Sequence, residues 1–542
     1  MRMKKNKSSH GFHGFHEFLF FRSGVVHEIC GIREIRGCFV KTGVLFSEQL
    51  PRGLYNGGHL PEGTMLTKNL AVRVFVAWLI MAAPALPARA QAKKPQVIPP
   101  EAPNISAVRK VVDSRIEALS ARMIEINDWM YKNPESGFLE FKAAATLTDE
   151  LKKHGFEVEM GVPGLDPDFD RLKTIGGVPP DYSGPKGLPT AFRARYQGRS
   201  EHPVIGIAVE YDALRGNPPF HGCQHNAQGP TGIGAAIALA EAMEANKIPG
   251  SVWVIGTPAE EVGPPTKAAQ AKAGYYDGID VMLRSHGSAR DTLRYPGGFS
   301  PRNIRQMKYT FHGKSAHAQS AWAGRSALDA VLLLFHAVDM MREHSQPQFR
   351  FHGIISDGGV APNIVPEMAS ATMWVRHIID QTPAGSMSPT KSGKLIDDKV
   401  VELDNMAKGA ALSTGTTVDI DHYGEYVPGI SVGLINDIAF QYAVDYGGIG
   451  IGERAVPNDW EETGYGTLVV PGVQVGIGTE GIPEVPGHSQ QNADITVSAA
   501  GHRSMVLTSK VMGAIGLRLV MDAELLRKVK AEHAQLVEAY KK

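Results

Sequence analysis

The sequence predicts an α/β fold in which a domain with a mostly parallel sheet is interrupted by a smaller α+β domain. Apolar strands alternate with helical segments between residues 190 and 285, which is typical of a parallel sheet covered by helices on both faces. Around Arg302 the pattern changes to a βαββαβ unit of a size to fold by itself. After Pro428 the helix–strand pattern resumes, so the smaller domain is expected to be an insertion.

Two helices are expected before the first long strands. Apolar residues at helical spacing predict a helix over 106–131, which Asn133-Pro134 stops. A second helix over 141–154 ends at Gly155, and a strand over 156–160 follows. Residues 162–189 are rich in Gly, Pro and Asp and are predicted to be a loop with little core.

The remaining elements define the domain boundaries. We expect an α/β domain over 107–301 and 426–542, with the smaller α+β domain over 302–425 between the two parts. The predicted elements of the first part are strands over 190–196, 204–211, 251–257 and 281–285, with helices over 229–245 and 264–273. Those of the insertion are strands over 304–312, 349–355, 367–375 and 416–423, with helices over 326–341 and 394–409.

The start of the chain differs from the rest and predicts export. Residues 65–92 combine Lys68 and Arg73 with an apolar run over 74–86 and small-residue cleavage sites at Ala88-Arg89-Ala90 and Ala90-Gln91-Ala92. This pattern is typical of a secretory signal peptide, and the alternative is an N-terminal membrane anchor. We expect translation to start at Met65, residues 1–64 to reflect a wrongly assigned gene start, and 93–106 to be a Pro-rich linker. The mature protein is then exported, to the periplasm, with no stable membrane span.

Composition narrows the classes of partner. The formal net charge is +0, which argues against a nucleic-acid partner because nothing would draw the chain to a polyanion. No apolar run after residue 90 is predicted to cross a bilayer. Cys30 and Cys38 lie in the leader, so the mature chain keeps only Cys223 and forms no internal disulfide. A lone exported thiol is expected to be buried or bound to metal.

Metal-ligand side chains recur at the ends of predicted strands and in turns. They occur in Cys223-Gln224-His225, Glu260-Glu261, Arg284-Ser285-His286 and Gly487-His488-Ser489. Taken singly, each has a plain alternative: a buried Cys beside a loop His, a solvated acidic turn, or a structural histidine. Together at one sheet edge, where α/β folds place ligands, they predict a metal-dependent amide hydrolase.

Several motifs resemble the M20 family of metallopeptidases and amidohydrolases, over nearly all of residues 107–525. The branch is that of aminobenzoyl-glutamate hydrolases, hippurate hydrolases and auxin-conjugate hydrolases. The matching stretches are Asn133–Phe138 (NPESGF), Glu210–Leu214 (EYDAL), Cys223–Asn226 (CQHN), Gly256–Glu261 (GTPAEE), Gly313–Ala318 (GKSAHA), Gly324–Ala330 (GRSALDA), Asn363–Glu367 (NIVPE) and Gly487–Ser489 (GHS).

The resemblance implies a role for each site residue. Two divalent metal ions, zinc or manganese, would be held by Cys223, His225, Glu261, His286 and His488. Glu260 would be the general base, and Asp212 would orient the site. Residues 107–301 and 426–542 would form the catalytic domain, and 302–425 would form a lid and dimerisation domain. From that lid, in a homodimer, His317 would reach a neighbouring subunit's site and stabilise the oxyanion. Asn363 and Arg376 would hold the substrate carboxylate; the alternative for Arg376 is a salt bridge within the lid.

Two departures from the family bear on the site. Gln224 and Asn226 stand where the family usually has Gly and Asp, and a larger side chain at 224 leaves less room in the metal turn. The Gly-rich stretch after the two glutamates is replaced by Val262-Gly263-Pro264-Pro265-Thr266-Lys267, which is expected to stiffen the pocket wall. A relative's substrate therefore does not transfer directly.

The predicted function is hydrolysis of the amide bond of N-acyl or N-aroyl amino acids, with aminobenzoyl-glutamate as one candidate. An exported carboxypeptidase or dipeptidase acting on short peptides is the first alternative, because it uses the same chemistry. A non-catalytic periplasmic binding protein is the second, although the complete ligand set disfavours it.

Overall fold

The computed structural model describes residues 98–175, 186–287, 293–379, 388–448, 452–454, 456–483 and 485–542. The leader and signal peptide, residues 1–64 and 65–92, lie outside the described residues, as does the first part of the linker. The end of that linker is helical, because the first helix begins at Pro103, three residues earlier than expected.

The first domain is built on a six-stranded sheet. Its strands are β1 (Glu157–Met160), β2 (Phe192–Tyr196), β3 (Val204–Val209), β4 (Ser251–Gly256), β5 (Val281–Ser285) and β14 (Gly472–Val475), in the spatial order β1-β2-β4-β3-β5-β14. Strands β4, β3, β5 and β14 are parallel, whereas β2 runs antiparallel to β4 and β1 antiparallel to β2. The sheet is therefore mixed, and the predicted parallel arrangement applies to the strands that lead to the candidate site.

Helices cover this sheet and enclose its main apolar core. They are α1 (Pro103–Lys132), α2 (Phe141–Lys153), α3 (Phe169–Ile175), α4 (His225–Ala245), α5 (Thr266–Lys272), α8 (Gly433–Asp445), α9 (Tyr465–Val469), α10 (Gln490–Ile495), α11 (Ala499–Met521) and α12 (Ala523–Lys541). Helix α4 begins four residues before the predicted start and packs against both α1 and α11. It therefore lies at the centre of the helical layer.

Two sequence-based expectations are wrong in this domain. The described residues between 162 and 189 are not a loop with little core, because they contain α3 and because Phe169 and Leu188 are buried in a small apolar cluster. Helix α11 is long and apolar enough to cross a membrane, contrary to the expectation for the chain after residue 90. However, 78% of its most apolar window is buried inside the fold, as expected of a core helix.

The second domain has a four-stranded antiparallel sheet with two helices packed on one face. Its elements follow the chain as β8 (Ile304–His312), α6 (Ala327–Glu343), β9 (Phe349–Asp357), β10 (Met368–His377), α7 (Pro389–Thr414) and β11 (Thr417–Tyr426). The strands lie in the spatial order β11-β8-β10-β9. This βαββαβ unit is an uninterrupted insertion, as the sequence predicts.

Short strands on either side of the insertion join the two parts of the first domain. Strand β7 (Gly298–Phe299), just before the insertion, pairs with β12 (Ile430–Ser431), just after it. A second short pair, β6 (Leu293–Arg294) and β13 (Gly452–Glu453), lies further along the same two segments. The chain therefore leaves and re-enters the first domain at one place.

Helix α4 lies so close to the sheet that only a glycine fits at one contact. A Cβ added to Gly232 would lie 2.3 Å from Val209 Cγ1 on β3. We expect Gly232→Ala to destabilise the protein by about 1–3 kcal/mol, because the helix must move away from the strand.

Gly409 on α7 is the matched control, because no atom lies within 4 Å of a Cβ added there. Gly409→Ala should stabilise by about 0.5–1 kcal/mol. Urea unfolding of both variants measures this, and a neutral Gly232→Ala would contradict the close contact.

Candidate metal centre and active site

The candidate site lies beyond the carboxyl ends of the parallel strands. Glu210 and Asp212 follow β3, Glu260 and Glu261 follow β4 by a short loop, and His286 directly follows β5. Cys223 and His225 form the turn into α4, and His488 comes after β14. This edge is where open α/β sheets leave a crevice for ligands, since helices cover both faces.

The structure brings together all five residues that the sequence suggests as metal ligands. Cys223 Sγ lies 3.5 Å from His286 Nε2, and His488 Nε2 lies 3.6 Å from Glu261 Oε2. Three groups have ligand atoms within 4.8 Å of one another: Cys223 with His225 and His286, Cys223 with Glu261 and His488, and His225 with Glu260 and Glu261. The shared members place these groups side by side, as a pair of metal ions requires.

His225 is held with one ring nitrogen directed into this cluster. Its Nδ1 donates to Asp212 Oδ1 at 2.9 Å, and Asp212 Oδ2 accepts from the backbone N–H of Glu261 at 3.0 Å. The buried Nε2 of His225 and Oε1 of Glu261 make no hydrogen bond, although Glu210 Oε2 lies 3.2 Å from that Nε2. A carboxylate behind a histidine that faces inward is the usual support of a metal-bound imidazole. The donor set and these unsatisfied atoms fit a divalent metal.

Burial also sets the protonation of two of these groups. Burial, and then the charge of Arg284, lowers the pKa of His286 to about 4, so its imidazole is neutral near pH 7. A neutral imidazole is the form that ligates a metal. Burial raises the pKa of the Cys223 thiol to about 12, so the thiol keeps its proton in the protein alone. That proton would leave when a metal binds, since the thiolate is the ligand.

Three residues at the site have backbone conformations that residues other than glycine rarely adopt. Gln224, Ala259 and His488 have φ angles of 66°, 55° and 58°. Each stands next to, or is, a candidate site residue. Strained φ values of this kind persist only where the surrounding structure fixes them, and they concentrate at functional sites.

The two turns that carry Cys223 and His488 are tied together, although they are distant in the sequence. The Gln224 amide donates to the backbone O and to Oδ1 of Asn492, both at 2.9 Å. The Asn492 amide donates in turn to Gly222 O at 2.8 Å, and His488 N donates to the same oxygen at 3.1 Å. The larger side chain at 224 is thus directed at Asn492 and links the two turns.

Glu140, which none of the sequence motifs includes, supports the loop before Glu260. This fully buried carboxylate accepts a hydrogen bond of 2.7 Å from the backbone N–H of Ala259, the residue with φ 55°. Burial, and then the charge of Asp212, raises the pKa of Glu140 well above its ordinary value. The contact fixes the backbone from which Glu260 and Glu261 diverge. The acid follows the NPESGF motif by two residues, and that proximity was the only signal in the sequence.

We expect Glu140→Ala to lower both stability and turnover. A buried backbone N–H left without an acceptor costs about 1–3 kcal/mol. A shift of about 1 Å at Glu260 lowers turnover on the order of 10²-fold. Glu140→Gln keeps a carbonyl oxygen for Ala259 and should retain most of both. Chemical unfolding and steady-state kinetics measure the two effects. Equal losses in the Gln and Ala variants would show that the hydrogen bond is not what matters.

A buried group of charges lies beneath the cluster and was also missed. Glu210 forms ion pairs with Lys267 and with Arg284, the latter at 2.7 Å, and both cations also pair with Glu462. Burial, and then the charge of Glu462, raises the pKa of Glu260. Glu210 and Arg284 stand inside motifs that the sequence makes conspicuous, but nothing in the sequence marks Lys267 or Glu462 as a member of a buried ion-pair network. The segment 262–267, which follows Glu260 and Glu261 and departs from the family pattern, therefore supplies a buried cation, Lys267, as well as two prolines.

The other three proposed site residues lie in the second domain. His317 is exposed, and its Nδ1 accepts from the backbone N–H of Gln319 at 3.1 Å. Asn363 lies beside it, since its backbone O accepts from Ala318 N at 3.0 Å. Among the described residues, neither His317 nor Asn363 contacts the five proposed metal ligands, which are called the metal-type cluster below. Arg376 is half-buried, with its guanidinium 5.7 Å from the ring centre of Trp374. Among the described residues, no carboxylate lies within ion-pair distance of Arg376, and the alternative of a lid salt bridge stays a prediction.

A cavity of 810 Å³ lies outside the cluster of proposed metal ligands. It is bordered by both domains, through residues such as Pro264 and Pro265 on one side and Arg305 and Tyr423 on the other. None of the metal-type residues lines it. The side-chain chemistry at the sheet edge, and not this cavity, therefore identifies the reacting centre.

Comparison with known proteins agrees with this geometry. The Peptidase dimerisation domain of the M20 family matches residues 299–388. The chain is 31% identical to a p-aminobenzoyl-glutamate hydrolase subunit of Escherichia coli over 332 residues, which are 58% of this chain and 60% of that protein. Residues 299–388 therefore match an M20 domain, and much of the chain is similar to this hydrolase subunit. The chain is also 28% identical to the Xaa-Arg dipeptidase of Mus musculus, over 80% of this chain and 93% of that protein.

The fold agrees with that of a solved structure. The crystal structure of an aminobenzoyl-glutamate utilization protein from Klebsiella pneumoniae superposes with a TM-score of 0.54 at 19% identity, covering 75% of this chain and 98% of that one. The similarity to the hydrolase subunit and to the dipeptidase shows a hydrolase that acts on amide bonds. Most of the segment that matches the M20 dimerisation domain, residues 299–388, lies in the second domain.

Proposed function

We propose that this hydrolase is a metal-dependent amidohydrolase of the M20 family, and that it removes the acyl or aroyl group from N-acyl amino acids. The observation that carries the proposal is the convergence of Cys223, His225, Glu261, His286 and His488 next to Glu260. A binding protein would need neither this ligand set nor an adjacent carboxylate with a raised pKa.

Two divalent ions, zinc or manganese, would fit between the three overlapping groups of ligand atoms. Thiolate and imidazole favour zinc, and the carboxylate and imidazole of the other positions also accept manganese. When bound, such ions polarise a substrate carbonyl and make a water molecule more acidic. Asp212 keeps His225 in the tautomer whose Nε2 faces the metals.

Glu260 is the proposed general base. Its carboxylate is partly accessible, at 18% exposure, and Oε2 lies 3.9 Å from His225 Nε2, so it borders the ligand cluster without being enclosed by it. It would accept a proton from the attacking water and deliver it to the leaving amine. A base whose pKa is raised toward neutrality suits both transfers.

The substrate carboxylate would be held by Arg376 and Asn363. Arg376 is half-buried without a carboxylate partner among the described residues, and its planar fork of donors matches a carboxylate in two hydrogen bonds. The partner subunit's His317 would donate to the oxyanion that forms at the scissile carbonyl. The exposure of His317 and the match of its segment to a dimerisation domain support a homodimer through the second domain.

The names of the relatives suggest two candidates for the group that is cleaved from the amino acid. A p-aminobenzoyl-glutamate-like compound is the first candidate, because of the 31% identity to a hydrolase named for that substrate. A dipeptidase is the second candidate, because the match to the Xaa-Arg dipeptidase covers 93% of that protein. Both leave a free carboxylate for Arg376, so the residue does not separate them.

Hydrolysis of a substrate panel tests the proposal. The panel contains aminobenzoyl-glutamate, hippurate, acetyl amino acids and dipeptides, and each is assayed with chelator, with zinc and with manganese. Chelator-sensitive release of an amino acid from the acyl compounds is expected. Faster turnover of dipeptides would favour the peptidase. Failure to bind metal or to turn over any compound would favour the non-catalytic binding protein.

Export to the periplasm completes the proposal. It rests on the basic, apolar and small-residue regions of 65–92, which have the order of a signal peptide. The protein isolated from the producing cell is expected to begin near Gln91 and to release with the periplasmic fraction. A mature protein that retains residues 65–92 would overturn this part.

A further inference from the structure

A short hairpin-like arm, residues 313–325, projects from the second domain and is firmly attached at its base. Lys314 and Arg325 pair through two backbone hydrogen bonds of 2.8 and 2.9 Å. Val365 N donates to Ala316 O at 2.8 Å, next to the bond that joins Ala318 N to Asn363 O. Between these contacts lies a 3-10 helix, Ala318–Ala323. The arm is thus held in a defined direction.

The arm exposes a tryptophan that the fold of one chain leaves without cover. Trp322 is 81% exposed, and no residue of the 3-10 helix is buried. Tryptophan has a large apolar surface, and in proteins it is usually mostly buried. Where it stays exposed on an attached segment, it is typical of a residue that another molecule covers.

Trp322 stands on the same arm as His317, the residue assigned to a second subunit's site. Neither has a contact with the metal-type cluster among the described residues of its own chain. The segment that matches the dimerisation domain, residues 299–388, contains the whole arm. Exposed apolar residues on the edge strand β9 and the loop after it, Ile354, Ile355 and Val360, belong to the same segment. A second copy of this chain is therefore the occupant that these observations favour.

We propose that Trp322 acts across the dimer, as part of the acyl-binding pocket of the partner's active site. This inference rests on the proposed function, which assigns the carboxylate end of the substrate to Arg376 and Asn363. Asn363 is bonded through its backbone O to Ala318, at the start of the 3-10 helix, whereas Trp322 stands near the end of that helix. There the flat indole can stack on an aromatic acyl group beside the oxyanion held by His317. Aromatic acyl groups gain more from stacking than an acetyl group does, because only they present a ring face.

The first test compares substrates that differ only in the acyl group. Trp322→Ala should lower kcat/KM for aminobenzoyl-glutamate on the order of tenfold or more, chiefly through KM, and should lower it much less for acetyl-glutamate. Trp322→Phe keeps a ring and should recover most of the loss. Leu412→Ala, which truncates an apolar residue of the same domain that is 84% exposed, is the control and should leave the substrate ratio at its wild-type value. Light scattering checks that each variant stays dimeric.

The second test asks which subunit provides the tryptophan. Trp322→Ala and Glu260→Ala chains carrying different tags are co-expressed, and the mixed dimer is purified. If Trp322 acts across the dimer, one site of the mixed dimer has both an intact Glu260 and an intact Trp322. Activity on aminobenzoyl-glutamate should then be about half that of the wild type. If the tryptophan serves its own subunit, the mixed dimer should reach only half the activity of the Trp322→Ala dimer.

Three outcomes overturn the inference. An unchanged acyl preference in Trp322→Ala, a mixed dimer without recovered activity, or a fully active monomer would each do so while the wild type remains an amidohydrolase. A wild type that hydrolyses no acyl amino acid would instead overturn the proposed function on which the inference rests.

Discussion

Glu260→Ala is expected to lower kcat by about 10²–10⁴-fold, the range typical of removing a general base. The carboxylate lies beside the ligand cluster, with Oε2 3.9 Å from His225 Nε2, and its removal leaves all five proposed ligands in place. The metal content should therefore stay at the wild-type value. Metal analysis by mass spectrometry and steady-state kinetics on the acyl amino acids measure the two quantities on the same preparation.

The control for this substitution is Glu538→Ala. Glu538 is an exposed acid on α12 that pairs with Lys541 one helical turn away, so its loss should leave both turnover and metal content unchanged. Glu260→Gln separates charge from size and should be about as inactive as the Ala variant. A Glu260→Ala protein with near-normal turnover would remove Glu260 from the mechanism. A protein that had also lost its metal would make it a ligand instead.

Cys223→Ser should have the second large effect, on metal binding at both positions. Its sulfur belongs to two of the three groups of ligand atoms, one with His225 and His286 and one with Glu261 and His488. A serine hydroxyl is nearly the same size but remains protonated and is a poor ligand for zinc. We expect the metal content to fall from two ions per chain toward zero and turnover to fall with it.

Thermal unfolding reports the same loss independently of activity. A ligand that binds only the folded protein stabilises it by about 2.7 kcal/mol at a concentration 100 times its Kd. The wild type should therefore show a higher Tm with added zinc or manganese, and Cys223→Ser should show a much smaller rise. His312→Asn, which changes an exposed histidine of the second domain, is the control. An undiminished rise in Cys223→Ser would place the metals elsewhere.

The sequence predicts the main elements well where a pattern is strong. Helix Phe141–Lys153 and strand Val281–Ser285 agree with the predicted bounds to within a residue, because apolar periodicity and a following Gly or polar turn mark their ends. Composition misled at residues 162–189, where abundant Gly, Pro and Asp hid the buried Phe169 and the helix it begins. A few apolar residues suffice for a small core when neighbouring segments supply the rest.

The residues of the candidate site also divide into those that the sequence indicates and those that it does not. The ligand-type residues are chemically distinctive, so Cys223, His286 and His488 stand out from the sequence alone. Lys267 and Glu462 do not stand out, because a buried ion pair is defined by a partner almost two hundred residues away in sequence. Glu140 is ordinary in sequence and acquires its meaning only from the hydrogen bond that it accepts from the backbone N–H of Ala259. Motifs indicate chemistry, whereas support for that chemistry depends on long-range contacts.

The position of β14 has a consequence for how the protein is made. This strand pairs with β5 and completes the sheet, but the ribosome synthesises it roughly 190 residues later, after the whole second domain. At about 5–20 residues per second, β5 waits on the order of ten to forty seconds with one edge unpaired. An open strand edge is a template for pairing with other chains. A chain truncated before Gly472 should therefore aggregate, and the growing chain is a natural client for a chaperone that shields strand edges.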